Sequence, residues 1–277
     1  MPLQNKTVVI PGASRAIGRS IANTFGSQRA TLILPVFDWP ESIEEMENEF
    51  KELGFDFHVQ QADLRKKADV ISVVNYISKT TGRLDYLINN IERGGMPVVH
   101  GSYDLPHNRD QWDVEIDTTL KAKWLLFHHC LPLLKNSPDG SVLNISSVAG
   151  LTGRSGPGAA FFNDGYSAAN RAVDSFTEQW ARESAPNIRV NGLILGLIEG
   201  RHGEKTRGWS ALSNTEKQAL YNQTLLNRTG KPDEVAGAVY FLTVKATYMT
   251  GSIIKMDGGF TLGATKVPVF PTGILDT

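Results

Sequence analysis

Two groups of residues in this chain have types and spacings that could do chemistry. The first is Pro11-Gly12-Ala13-Ser14-Arg15-Ala16-Ile17-Gly18. It follows a strand-like run at 7–10 and opens an amphipathic stretch at 17–25. Small residues there let the backbone turn tightly and approach a diphosphate, whose charge a following helix N-terminus favours. A glycine pattern alone is weak; between a strand and a helix it points to a nucleotide. The second group is Tyr166-Ser-Ala-Ala-Asn170. Positions four apart on a helix share a face, so the phenol and the amide are neighbours. A free tyrosine has a pKa of about 10 and is about 0.1% ionised at pH 7. A cation beside it favours the ionised form by about one to three units; a neutral amide does not. Each unit is worth about 1.4 kcal/mol to a proton transfer, so losing the cation slows such a step by about ten- to a thousandfold.

The elements that must position these residues are legible in the hydrophobic pattern. Short apolar runs at 7–10, 31–36, 56–60, 86–88, 141–145, 189–194 and 252–256 alternate with helical patterns at 17–25, 43–53, 68–80, 112–134, 166–184 and 232–242. Strands alternating with helices predict an α/β fold, a doubly wound parallel seven-stranded sheet of Rossmann type. No linker or internal repeat divides the chain, so a single domain at 1–263 is expected, followed by an extended tail at 264–277. Residues 94–109 and 151–165 read as loops.

Composition narrows the function classes. The chain has 277 residues, is 41% hydrophobic and carries a formal net charge of −1. It is long enough for a full core. Its charge balance gives no reason to expect nucleic acid or an anionic membrane surface. No apolar run reaches the ~18 residues of a membrane span. The N-terminal residues lead straight into a strand pattern, so no signal peptide is expected. With Cys130 as its single cysteine the chain has no internal disulfide framework. A cytoplasmic protein is expected. His128-His129-Cys130 does not read as a metal site, because adjacent helical residues diverge by about 100°.

Several stretches together resemble the short-chain dehydrogenase/reductase (SDR) family, over residues 5 to 262. The loop from Pro11 to Gly18 is similar to that family's Thr-Gly-x-x-x-Gly-x-Gly, with Pro11 for the threonine and Ala16 for the middle glycine. Asp63-Leu64, Leu87-Ile88-Asn89-Asn90, Ile145-Ser146-Ser147, Val190-Asn191, and Thr250-Gly251 through Asp257-Gly258-Gly259 match further markers. The resemblance implies NAD or NADP as cofactor, held by Gly12, Ser14, Arg15, Ile17, Gly18, Asp63, Leu64 and Asn89, with the Asp63 carboxylate receiving the adenine amino group. An acid ending the second strand would favour NAD. That place holds Val36-Phe37, with Asp38 just beyond, while Arg15 is the nearest partner for a 2′-phosphate; the cofactor choice stays open.

The resemblance also implies hydride transfer between a nicotinamide and a carbonyl or alcohol carbon. Ser147 then holds the substrate oxygen and Tyr166 moves the proton. The family's lysine place is Asn170. Its asparagine place, which anchors a water that links the lysine to solvent, is Thr119. Other departures converge on the same cleft: Ile91-Glu92 for Ala-Gly, Leu195 for proline, and Gly200 for the threonine that contacts the carboxamide. Arg171 points away from position 170, whereas Lys123 lies four residues after Thr119 on the same helix face and could reach the site. Phe161-Phe162 lines a pocket or anchors its loop. Val173, Phe176 and Trp180 follow helical spacing and read as core or interface. The leading expectation is a catalytically impaired subunit that pairs, as a homo- or hetero-oligomer, with an active SDR, possibly one acting on hydroxyacyl substrates. The alternatives are an atypical NAD(P)-dependent enzyme acting on a small-molecule substrate through Ser147 and Tyr166, and a nucleotide-sensing regulator.

Overall fold

A computed structural model describes residues 3–92, 111–160, 162–200, 207–265 and 267. The expected loop at 94–109, Phe161 and most of the tail at 264–277 lie outside the described residues. The chain runs β1 (Thr7–Val9), α1 (Ala16–Ser27), β2 (Thr31–Val36), α2 (Pro40–Glu52), β3 (Phe57–Gln61), α3 (Lys67–Thr80) and β4 (Tyr86–Asn89). Then come α4 (Gln111–Glu115), a π-helical turn (Ile116–Lys121), α5 (Ala122–Lys135) and β5 (Gly140–Ser147). After α6 (Ala149–Thr152) and a 3-10 turn (Gly156–Ala160) follow α7 (Asp164–Ser184) and β6 (Ile188–Leu195). The rest comprises α8 (Arg207–Ala211), α9 (Asn214–Gln223), α10 (Pro232–Tyr240), a second π turn (Phe241–Lys245) and β7 (Ile253–Met256).

All seven strands pair in parallel in the order β3-β2-β1-β4-β5-β6-β7. Strand alternation divides the core in two. Val8, Leu32, Leu34, Leu143 and Ile145 face α1, α2 and α10, where Phe25, Phe50 and Val239 pack. Val9, Ile33, Val142 and Val190 face α3, α5 and α7, where Ile77, Phe127 and Trp180 pack. Trp180 stacks on Phe127 with ring centroids 4.1 Å apart, which assigns it to the core. Strand order reverses between β1 and β4, so their carboxyl ends open the crevice where this class of sheet binds ligands.

Two expectations need correction. The helix expected over 112–134 is broken by the π turn at Ile116–Lys121. The stretch 151–165 is not one loop: α6 ends in it, a 3-10 turn crosses it, and α7 begins at Asp164. The side chain of Asn163 accepts the Tyr166 backbone N–H at 2.7 Å, a helix cap that fixes where α7 starts. Two helices, α8 and α9, were not anticipated, although Ser213 and Glu216 form a capping box at the start of α9.

Candidate functional site

The glycine-rich loop turns where it does because two glycines are needed. Gly12 has φ +72°, and a Cβ on Gly18 would lie 2.2 Å from the Gly12 carbonyl oxygen. Asn90, just after β4, locks the turn by donating its side-chain amide to the Pro11 carbonyl at 3.2 Å. Ser14 and Ile17 are buried. The α1 N-terminus carries no side-chain cap and no acidic residue in its first turn, so its amide groups suit a diphosphate. Ala16 changes the outer side of the loop. A Cβ added at Gly200, whose φ is +74°, would meet the Ala16 Cβ at 2.8 Å. A methyl at 16 and a bare backbone at 200 therefore fill one space between them.

Beyond the end of β2 the surface is aromatic and cationic. The Arg15 guanidinium lies 4.2 Å from the centre of the Trp39 ring, and Arg65 sits 5.5 Å from the Phe37 ring. Trp39 and Phe37 are both exposed. Flat rings beside guanidinium groups suit a purine and a phosphate. Asp63 does not present a free carboxylate. Arg65 donates to it twice, at 2.8 and 2.9 Å, and this pair holds the Asp63 carboxyl below its ordinary range against the opposing effect of burial. Leu64 points into the core. Asn89 donates to Asn144, which donates to Thr177, a buried chain that ties β4, β5 and α7 together.

The second half of the site lies between β5, α7 and the π turn. Ser147 ends β5, nearly buried, and its hydroxyl oxygen accepts the Ala149 N–H at 3.2 Å. Tyr166 is fully buried. Phe162 stacks over it, with ring centroids 6.1 Å apart and planes 24° from parallel, and Val148, Ala149, Trp209 and Leu220 complete that apolar cluster. Gly150 brings α6 against the backbone of α7, where a Cβ would meet the Arg171 nitrogen at 2.8 Å.

Asn170 is fully buried one turn below Tyr166. Its amide nitrogen donates to Glu92 Oε1 and to the Tyr166 carbonyl, each at 3.0 Å. Glu92 thus points toward α7. Thr119 is buried in the π turn. Its hydroxyl and the Asn170 carbonyl oxygen have no hydrogen-bond partner among the described residues. Lys123 is fully buried, and its ammonium donates to the carbonyls of Ile91 at 2.8 Å and Thr119 at 2.9 Å. Glu115, one helical turn before Thr119, is buried too and accepts from Asn163 at 3.2 Å. The face carrying Glu115, Thr119 and Lys123 is therefore turned inward. Arg171 points away: it is largely exposed and reaches Asp174 at 3.8 Å. Cys130 is buried, which pushes its thiol up to about 12 and makes it inert. Among the described residues no group of His, Cys, Asp and Glu could hold a metal.

Of the residues singled out in the sequence, Tyr166 and Asn170 meet as neighbours, and Thr119 is joined to them through Lys123 and the Ile91-Glu92 segment. Glu92 as the partner of Asn170, and Trp39 as that of Arg15, were not foreseen. Nothing in their local sequence marks these pairings; Asn170 and Glu92 lie 78 residues apart, so their contact belongs to the tertiary fold.

A family described as enoyl-(acyl carrier protein) reductase matches residues 12–261. The chain is 28% identical over 264 residues to the 3-oxoacyl-[acyl-carrier-protein] reductase FabG of Thermotoga maritima, covering 95% of this chain and 100% of that one. It is 31% identical over 268 residues to the uncharacterized oxidoreductase YxjF of Bacillus subtilis, covering 94% and 99%. The crystal structure of a short-chain dehydrogenase/reductase, described as a glucose/ribitol dehydrogenase, from Brucella melitensis superimposes with a TM-score of 0.76 at 28% identity, covering 94% of this chain and 98% of that one.

Proposed function

Because this chain belongs to the short-chain dehydrogenase/reductase family, we propose that it is an oxidoreductase subunit of that fold whose own proton relay is impaired. In this reading it works in the cytoplasm beside an active subunit of the same fold, in a complex acting on oxoacyl or hydroxyacyl compounds. That substrate class is taken from relatives named as 3-oxoacyl-[acyl-carrier-protein] reductases. When bound, NAD(P) supplies or accepts the hydride. The loop from Gly12 to Gly18 would receive its diphosphate, and Arg15, Trp39, Phe37 and Arg65 would meet its adenosine end. Ser147 would hold the substrate oxygen by a hydrogen bond, and the Tyr166 hydroxyl would give or take the proton.

The observation that carries impairment is Asn170. Its amide is fully buried and committed to Glu92 and to the Tyr166 carbonyl. The face of α7 that carries the tyrosine thus has a neutral group and a nearby acid where a cation would assist. A nearby acid disfavours a phenolate. The fit to a cofactor is good at the loop and tight above it, where Gly200 rests on Ala16. Trp112 and Trp124, 43% and 42% exposed, supply apolar surface for a partner subunit.

The test is titration of the full-length protein with NADH and NADPH by nicotinamide fluorescence, followed by turnover with an acetoacetyl thioester. We expect turnover at least a hundredfold below that of an intact family member assayed alongside. Turnover within tenfold of that member sinks the impaired reading. It would instead support the second reading, an active atypical reductase, which the buried ammonium of Lys123 favours; Tyr166→Phe would then abolish the activity.

A further inference from the structure

The place that the family resemblance gives to the adenine amino group is built here with the opposite polarity. An amino group needs an acceptor, and the acceptor implied is the Asp63 carboxylate. Asp63 is only 3% exposed, and its carboxylate turns back into its own loop. Oδ1 accepts the Arg65 backbone N–H at 3.2 Å, an Asx turn, and Arg65 Nε at 2.8 Å. Oδ2 accepts Arg65 Nη2 at 2.9 Å, with Lys66 Nζ 3.6 Å away. A carboxylate offers about four lone-pair sites. Arg65 thus takes most of them, and Lys66 stands beside the rest.

What a ligand meets instead is the guanidinium. The Arg65 side chain is 33% exposed and lies 5.5 Å from the centre of the exposed Phe37 ring. Nε and Nη2 are spent on Asp63, which leaves Nη1 for a ligand. The charge is secure: Asp63 raises the Arg65 pKa, and Asp38 and Asp117 add to that more weakly. We propose, on the reading above that the loop from Gly12 to Gly18 holds a nicotinamide dinucleotide, that Arg65 sets the base preference of this chain by putting a donor where an acceptor is expected. An adenine amino group then gains no bond, and a purine with a carbonyl oxygen at C6, hypoxanthine, binds at least as well. The base is held by its face, between ring and guanidinium, and stacking does not read the substituent at C6. The ligand class is a purine dinucleotide rather than an adenine one.

The test compares two ligands on the full-length protein by nicotinamide fluorescence. One is NADH, or NADPH if that binds tighter. The other is the same cofactor carrying hypoxanthine in place of adenine. The adenine form should bind no more than about threefold tighter than the hypoxanthine form. Arg65→Met frees the Asp63 carboxylate, and a hydrogen bond to a charged acceptor should then shift the ratio toward the adenine form by about tenfold. The ratio cancels whatever the lost cation does to both ligands alike. A parent that binds the adenine form more than about threefold tighter overturns the proposal, as does a shift of less than about threefold in Arg65→Met. Should Arg65→Met not fold, the parent ratio decides alone. Binding of neither form sinks the dinucleotide reading and this proposal with it. Binding of both with the wrong ratio sinks this proposal alone.

Discussion

Two buried polar clusters in this protein are built in opposite ways. Asp85, at the amino end of the sheet, is fully buried. It accepts from Lys6 at 3.0 Å, Ser137 at 2.6 Å, the Thr7 backbone at 2.9 Å and Arg83 at 3.2 Å. Each lone pair is used, and the donors tie β1, β4 and the turn before β5 together. At the carboxyl end, Thr119, Lys123 and Asn170 are also buried, with half-buried Glu92 beside them, yet the Thr119 hydroxyl and the Asn170 side-chain amide oxygen have no partner among the described residues. The first cluster is optimised for folding. The second leaves polar atoms unpaired, a cost that the first avoids.

The sharpest way to break this comparison is at its strong end. Asp85→Ala leaves Lys6, Arg83, Ser137 and the Thr7 amide without their acceptor, and should cost about 3 kcal/mol or more in urea unfolding. A loss under 1 kcal/mol would mean that the two clusters do not differ in kind. Acid titration probes the same end without mutation. Burial by itself raises the Asp85 carboxyl, but bonds from Ser137, Thr7 and Lys6 outweigh it and hold the group below its ordinary range. A depressed folded-state pKa gives stability that is present above the unfolded value and lost as pH falls through the folded one. The parent should therefore lose stability below about pH 4, and Asp85→Asn should lose less over the same interval.

Smaller effects are expected at the other cluster. Asn170→Ala removes two donated bonds but also one orphaned oxygen, so its cost should stay near 1 kcal/mol. Thr119→Val removes an unpartnered hydroxyl at little change of shape and should stabilise by a few tenths of a kcal/mol; a clear loss would reveal a partner for that hydroxyl. Asp174 behaves as the inverse of Asp85. Burial pushes its carboxyl up, only partly opposed by Ser146 and Arg171. A raised folded-state pKa costs stability as pH rises through the carboxylate range. Asp174→Asn should thus be slightly more stable than the parent at pH 7 and indistinguishable from it near pH 3, as read by thermal melts.

The fold was largely legible because alternation of apolar runs reports strands and helices directly. Leu32, Ile33 and Leu34 already announce a strand buried on both faces, and the sheet places them so. The glycine-rich loop was legible too, since Gly12 and Gly18 answer to local sterics. The π turn was not, because an i→i+5 hydrogen bond has no compositional signature. Helix α9 did carry one, Ser213 followed three residues later by Glu216, which the periodicity at 214–223 was too weak to bring out.

The relay shows where legibility ends. The absence of a lysine at 170 and the presence of Lys123 on the face of Thr119 are facts of spacing, available in the sequence alone. That Lys123 is buried, that its ammonium rests on Ile91 and Thr119, and that Glu92 turns to Asn170 depended on how α5 and α7 pack across the end of β4. Helical periodicity specifies which side chains share a face. Only packing specifies whether that face meets water, and for a lysine the same spacing yields a solvated charge in one case and a buried cation in the other.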